Sequence, residues 1–200
     1  MAGRRRPLMD SEIKRKAFHL FTLLYAVLFA TAGRRTSLEI LGVAFLLVAT
    51  VEAVRLRRPK FNQRIIRLFA GIHREKETDR PSGILWTMAG AILTIGLVPY
   101  PDIVLACLGY LAVGDAAAAL VGKRWGHIRY GDKSLEGSAA CFLTCWVVGI
   151  FVLNSPGGRA PEAAVGAFAA ALLEGLPLPF DDNLWIPVAS GLVLTALRAR

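Results

Sequence analysis

The chain has 200 residues, is 54% hydrophobic with a mean hydropathy of +0.48, and carries a formal net charge of +9. That apolar share exceeds the usual soluble domain, and it comes in long blocks rather than amphipathic stripes, which excludes a soluble enzyme core. The basic charge reads as membrane topology, so no nucleic-acid partner is expected.

In chain order, a polar leader containing Glu12, Arg15, Lys16 and His19 runs into the first apolar block, residues 17–32. Arg15 and His19 stand four apart and share a helix face. They either snorkel at the membrane entry or hold a phosphate or alcohol head. A cleaved signal peptide ending near Ala30-Thr31-Ala32 would discard this cluster, and the charges running into the helix argue against it. After a second block, 37–54, comes the longest polar segment, 55–81. Within it Phe61, Ile65, Ile66, Leu68, Phe69 and Ile72 recur at helical spacing, with Arg64, Arg67 and Arg74 elsewhere. This predicts a short amphipathic helix in the cytoplasmic interface, drawn to anionic lipid.

Further apolar blocks cover 83–98, 102–121, 135–153, 161–173 and 184–197. A spanning helix takes roughly 20 apolar residues, with about 17 as the lower limit. The expected fold is therefore all-α: a polytopic membrane helix bundle of about seven transmembrane helices plus one interfacial amphipathic helix, in a single domain over 1–200. Of the 24 Lys and Arg, 19 fall on one side of that topology and 5 on the other. The N-terminus and the active site are then cytoplasmic, and a prokaryotic cytoplasmic membrane is the expected home. Cys107, Cys141 and Cys145 lie inside apolar blocks and read as small buried hydrophobes.

The chemistry concentrates in one stretch. Gly114-Asp115 opens a run of small residues that ends in Gly122-Lys123-Arg124-Trp125-Gly126, and Lys133-Ser134-Leu135-Glu136-Gly137 follows. An acid inside a membrane helix is costly and marks function. Asp115 reads as a magnesium ligand, or else as the partner of a buried Lys or Arg. Ser134 suits a helix cap with Glu136 in the first turn. Lys133 and the neighbouring amides suit phosphate, and Glu136 can share a metal with Asp115. Glu174 sits at the end of its helix that disfavours an acid, so it needs a metal or a basic partner. Asp181, Asp182 and Asn183 either cap the last helix or serve as metal or hydroxyl partners. All these groups belong to one side of the expected topology, and the outer loops hold no comparable cluster.

The motifs Gly114-Asp115…Gly122…Gly126 and Lys133-Ser134…Glu136-Gly137 resemble the membrane family of CTP-dependent lipid-alcohol kinases, which includes dolichol kinase, phytol kinase and the yeast-type diacylglycerol kinase. Matches in the same order are Glu12, Arg15, Lys16 and His19; Ser82-Gly83; and Leu172–Pro177 with Asp181–Pro187. The resemblance implies phosphoryl transfer from CTP to a membrane lipid alcohol, with Mg²⁺ as cofactor; spacing alone does not separate CTP from ATP. It implies catalytic roles for Asp115, Lys133, Glu136 and Asp182, and metal ligation by Asp115, Glu136 and Asp181. Gly114, Gly122, Lys123, Arg124, Gly126, Lys133, Ser134, Gly137, Arg15 and Lys16 would bind nucleotide phosphate, and His19, Asn183 and Glu174 the substrate. The phosphatidate cytidylyltransferases share part of this pattern. Their C-terminal signature is missing here, which leaves cytidylyl transfer as the alternative. A small ion-coupled transporter using Asp115 is the non-enzymatic one.

Overall fold

The computed structural model describes residues 20–68, 77–154 and 159–200. Arg15, Lys16 and His19, the Phe69, Ile72 and Arg74 part of the expected interfacial helix, and the 155–158 turn lie outside the described residues. The rest is a membrane protein built from packed helices. A 3₁₀ turn, Leu20–Thr22, leads into α1, Leu23–Arg57, and α2 is Pro59–Leu68. Next come α3, Gly83–Leu97, and α4, Pro101–Gly109, which passes through a π-helical turn, Tyr110–Gly114, into α5, Asp115–Trp125. A hairpin of β1, Arg129–Tyr130, and β2, Lys133–Ser134, precedes α6, Leu135–Val152; α7, Arg159–Gly175, and α8, Asp182–Arg198, complete the chain.

Three stretches are long and apolar enough to cross a membrane: Leu20–Arg57, Pro101–Trp125 and Leu135–Val152; Gly83–Leu97 is a shorter apolar helix. The first holds both of the first two expected spans. As one straight rod, 38 residues would reach about 57 Å, far beyond a bilayer core of about 30 Å. Gly33 breaks it, at φ 75° and ψ 177°, a conformation that glycine takes at no steric cost. The expected loop at 33–36 is therefore a single-residue break inside helical geometry. Beyond it α1 runs antiparallel to α3. Arg34 donates to the carbonyls of Ile95, Val98 and Pro99 at one end of α3, and Arg55 reaches the loop before its other end.

That second contact is a buried clamp absent from the sequence reading. Arg55 is fully buried and pairs with Glu52 at 2.7 Å. It also donates to Asn62 Oδ1 and to the carbonyls of Glu77, Thr78 and Arg80. Glu52 in turn accepts from the Ser82 amide at 2.9 Å. A buried charge needs a partner and a full set of hydrogen bonds, and here the set fixes the chain entering α3. The amphipathic α2 buries none of its side chains and is tied to the bundle through Asn62, which also donates to the Thr78 carbonyl.

The Pro101–Trp125 helix is central: 72% of its apolar window is buried, against 17% and 22% for the other two long stretches. Around it α6 packs on α5 and α7, α7 on α8, and α8 on α3. Small residues make the close approaches possible. A Cβ on Gly114 would lie 2.6 Å from Cys145 Sγ and 3.2 Å from Cys141 Sγ. All three cysteines are free and buried, as the sequence suggested. Gly114→Ala overpacks this contact and should cost about 1–3 kcal/mol, read as a lower melting temperature in detergent.

A second charged network ties helix ends away from Asp115. Arg198, from the end of α8, pairs with Asp102 at 2.7 Å and with Glu162 at 2.8 Å. Its guanidinium lies 5.0 Å from the centre of the Tyr100 ring, and Asp102 accepts from the Asn154 amide. From sequence the outer loops read as holding no cluster comparable to the one around Asp115, and this ion-pair network was not foreseen. The reason is distance along the chain: Asp102, Glu162 and Arg198 sit on three separate helices and look isolated in sequence. They hold those helix ends together.

Candidate active site

The glycine-punctuated loop after α5 folds as a tight hairpin. Arg129 pairs with Ser134 and Tyr130 with Lys133, leaving Gly131 and Asp132 as the two-residue turn. Gly131 takes φ +58°, as such turns demand. The pairing puts Tyr130 and Lys133 side by side across the ladder. The Tyr130 hydroxyl bonds Ser138, whose Oγ donates to Glu174 Oε2 at 3.3 Å. Lys133 Nζ stands 2.6 Å from Glu174 Oε1 and 2.9 Å from Asp182 Oδ2. The basic partner that Glu174 required is therefore Lys133.

Asp115, Glu174 and Asp182 converge from α5, α7 and α8. One carboxylate oxygen from each lies within 4.8 Å of the others, and Asp115 and Glu174 are both buried. Three hard oxygen donors in this arrangement suit a divalent cation such as magnesium. Lys133 offsets only part of their charge. Next to Asp182 in the chain, Asn183 is buried and its Oδ1 has no hydrogen-bond partner. Burial alone would lower the pKa of Lys133, but Asp182 and Glu174 outweigh it and hold the ammonium well above its ordinary value.

The acids named from sequence lie in different places. Glu136 does not join Asp115: its carboxylate accepts from the amides of His127 and Ile128, at 2.9 and 3.2 Å, and so braces the hairpin. Asp181 caps α8 by accepting from the Asn183 amide at 3.1 Å, and its neighbour Asp182 faces the cluster. Glu174, expected among substrate-binding groups, lies beside Asp115 and Asp182. Adjacent acids at a helix start point in different directions, and sequence spacing cannot say which one turns inward.

Ser134 caps α6 by accepting from the Gly137 amide at 3.1 Å. Gly122, Gly126 and Gly137 pack around it. A Cβ on Gly126 would lie 2.6 Å from Ser134 Oγ, and one on Gly137 would lie 2.7 Å from the Ala118 carbonyl. These glycines let α5, the hairpin and α6 meet, and Arg129 donates to the Gly122 carbonyl. Lys123 and Arg124 are exposed at the end of α5, with Arg124 over the Trp125 ring. Tyr130 was not singled out from sequence, and Ser138 only closes the Lys133-to-Ser138 motif, without a role of its own. The alternation of Tyr130 with Lys133 around a Gly-Asp turn was the available signal.

Comparison with known proteins agrees with this chemistry. The chain is 34% identical to the CTP-dependent diacylglycerol kinase 1 of Saccharomyces cerevisiae, over 93% of this chain and 73% of that protein. It is 32% identical to the protein of the same name from Eremothecium gossypii, over 94% of this chain and 68% of that one. A phytol kinase from Synechocystis is 33% identical over 54% of this chain and 49% of its own length. No family model matches, and no solved structure does.

Proposed function

This chain belongs to the CTP-dependent lipid-alcohol kinase family and is a membrane phosphotransferase, and from that premise we propose that it phosphorylates a diacylglycerol-type lipid alcohol with CTP at the cytoplasmic face of a prokaryotic membrane. The convergence of Asp115, Glu174 and Asp182 around Lys133 is the observation that carries this reading. The greater coverage of the diacylglycerol kinases over the phytol kinase favours a glycerolipid over an isoprenoid alcohol. The excess of Lys and Arg on the site side supports the cytoplasmic placement, and the whole chain acts as one domain.

Phosphoryl transfer asks for positioning and charge neutralisation more than for covalent catalysis. Asp115, Glu174 and Asp182 would hold Mg²⁺, which when bound neutralises charge on the triphosphate. Lys133 provides a second positive centre for the phosphates, aided by Lys123 and Arg124 on the exposed end of α5. The family resemblance assigns phosphate binding to Arg15 and Lys16 as well, and the alcohol head to His19. Asp182, on the rim of the cluster, accepts the hydroxyl proton as the alcohol oxygen bonds to the γ-phosphorus and CDP leaves. Asn183 Oδ1, buried and unpaired, is an acceptor for the substrate hydroxyl. Tyr130 and Ser138 orient Glu174, and Glu136 holds the hairpin that carries Lys133.

Purified protein incubated with radiolabelled CTP, MgCl₂ and diacylglycerol, phytol or a polyprenol should release CDP and transfer label from the γ-position to the lipid, fastest with diacylglycerol. Release of pyrophosphate, with the cytidylyl group on the lipid, would show the cytidylyltransferase reaction instead.

A further inference from the structure

Among the described residues, Phe180 alone is a non-glycine with positive φ, at 70°. For a bulky side chain this backbone conformation is strained, and glycine would adopt it freely. Such strain persists where the surroundings hold it in place, and it gathers at functional sites. Core packing does not explain it, because Phe180 is 70% exposed. The ring instead stands out from the loop between α7 and α8, with its centre 4.9 Å from that of Trp86 on α3. The loop is fastened by Trp185, whose indole N–H donates to the Pro179 carbonyl at 2.6 Å. Two residues beyond Phe180 lies Asp182, one of the three converging acids. An apolar pair of rings thus sits at the starts of α3 and α8, two residues along the chain from one of the converging acids.

We propose that Phe180 and Trp86 seat the hydrocarbon chain of the lipid alcohol just below its hydroxyl, making Phe180 a specificity-determining residue whose strained backbone sets the ring at the entrance to the acid cluster. The occupant is the acyl chain of the substrate; it is neither a partner protein nor bulk lipid. The inference rests on the lipid-alcohol kinase reading. A ring that served only as an interfacial anchor would be indifferent to which substrate is bound, and that difference is measurable.

Phe180→Gly removes the ring and relaxes the backbone together, so stability and function should separate. In mixed micelles its melting temperature should equal or exceed that of the wild type. Its KM for a long-chain diacylglycerol should rise about tenfold, the scale of one lost apolar contact, while its KM for CTP stays put. A water-soluble short-chain alcohol, which never reaches the rings, should be turned over equally by both proteins. Trp86→Leu, which keeps an apolar side chain on α3, should show the same selective rise. A long-chain KM that does not move in either variant, or equal rises for lipid and CTP, overturns the inference and leaves the kinase reading standing. A wild-type protein that phosphorylates no lipid alcohol overturns both.

Discussion

Asp115→Asn should lower kcat for CTP-dependent phosphorylation by about 10²–10³-fold, the scale seen when one preorganised electrostatic group is removed from an active site. Asp115 is 3% exposed and sits within 4.8 Å of Glu174 and Asp182. In such a water-poor place each full charge counts for far more than at a surface. Asparagine keeps the shape and deletes the charge, so helix content and melting temperature should stay close to the wild type. Raising MgCl₂ should recover part of the rate if the lost charge served a metal. A well-folded Asp115→Asn protein with wild-type kcat would falsify the role given to the cluster.

Lys133→Met is expected to have two separable effects. Its activity should fall by a similar 10²–10³-fold if Lys133 serves the phosphates as proposed. Its stability without metal should fall as well. Glu174 and Asp182 would be left without the ammonium that now lies 2.6 and 2.9 Å away. Removing one partner of a buried pair costs roughly 3–5 kcal/mol, and the partly exposed Lys133 side chain puts this case near the lower end. Magnesium should then restore the lost stability, since a ligand that binds only the folded state raises the melting temperature. The wild type should gain less from the same magnesium, because Lys133 already occupies the carboxylates. Thermal unfolding of both proteins with and without MgCl₂ checks this. Equal gains would mean that Lys133 and the ion do not share these carboxylates.

Much of the helical layout was readable from sequence because apolar run length is a strong local signal. The expected block 135–153 is observed as Leu135–Val152, and 83–98 as Gly83–Leu97. Ser134 as the cap of α6 and the short amphipathic helix after α1 were also legible, the latter observed as Pro59–Leu68. Which of the acids lie together was not readable from their spacing. Glu136 is near Asp115 in sequence yet turns to the His127 and Ile128 amides. Glu174, far along the chain, completes the cluster. The clamp of Glu52 and Arg55 and the Asp102–Glu162–Arg198 network escaped for the same reason. Each charge looked like an ordinary helix-end residue until tertiary packing supplied its partner. The hairpin escaped because strands of two residues carry almost no periodicity.

The π-helical turn at Tyr110–Gly114 has a bearing on how this span tolerates change. A π-turn accommodates about one residue more than an α-turn, and one residue corresponds to about 100° around a helix axis. The stretches before and after it are thus keyed to different azimuths: the first half to the core around Ile103 and Cys107, the second to the acids. Deleting a single residue there would regularise the hydrogen bonding, improve the helix by every local criterion, and swing the Asp115 carboxylate away from Glu174 and Asp182. Chains of this lineage should accept point substitutions at those five positions more readily than any change in their number.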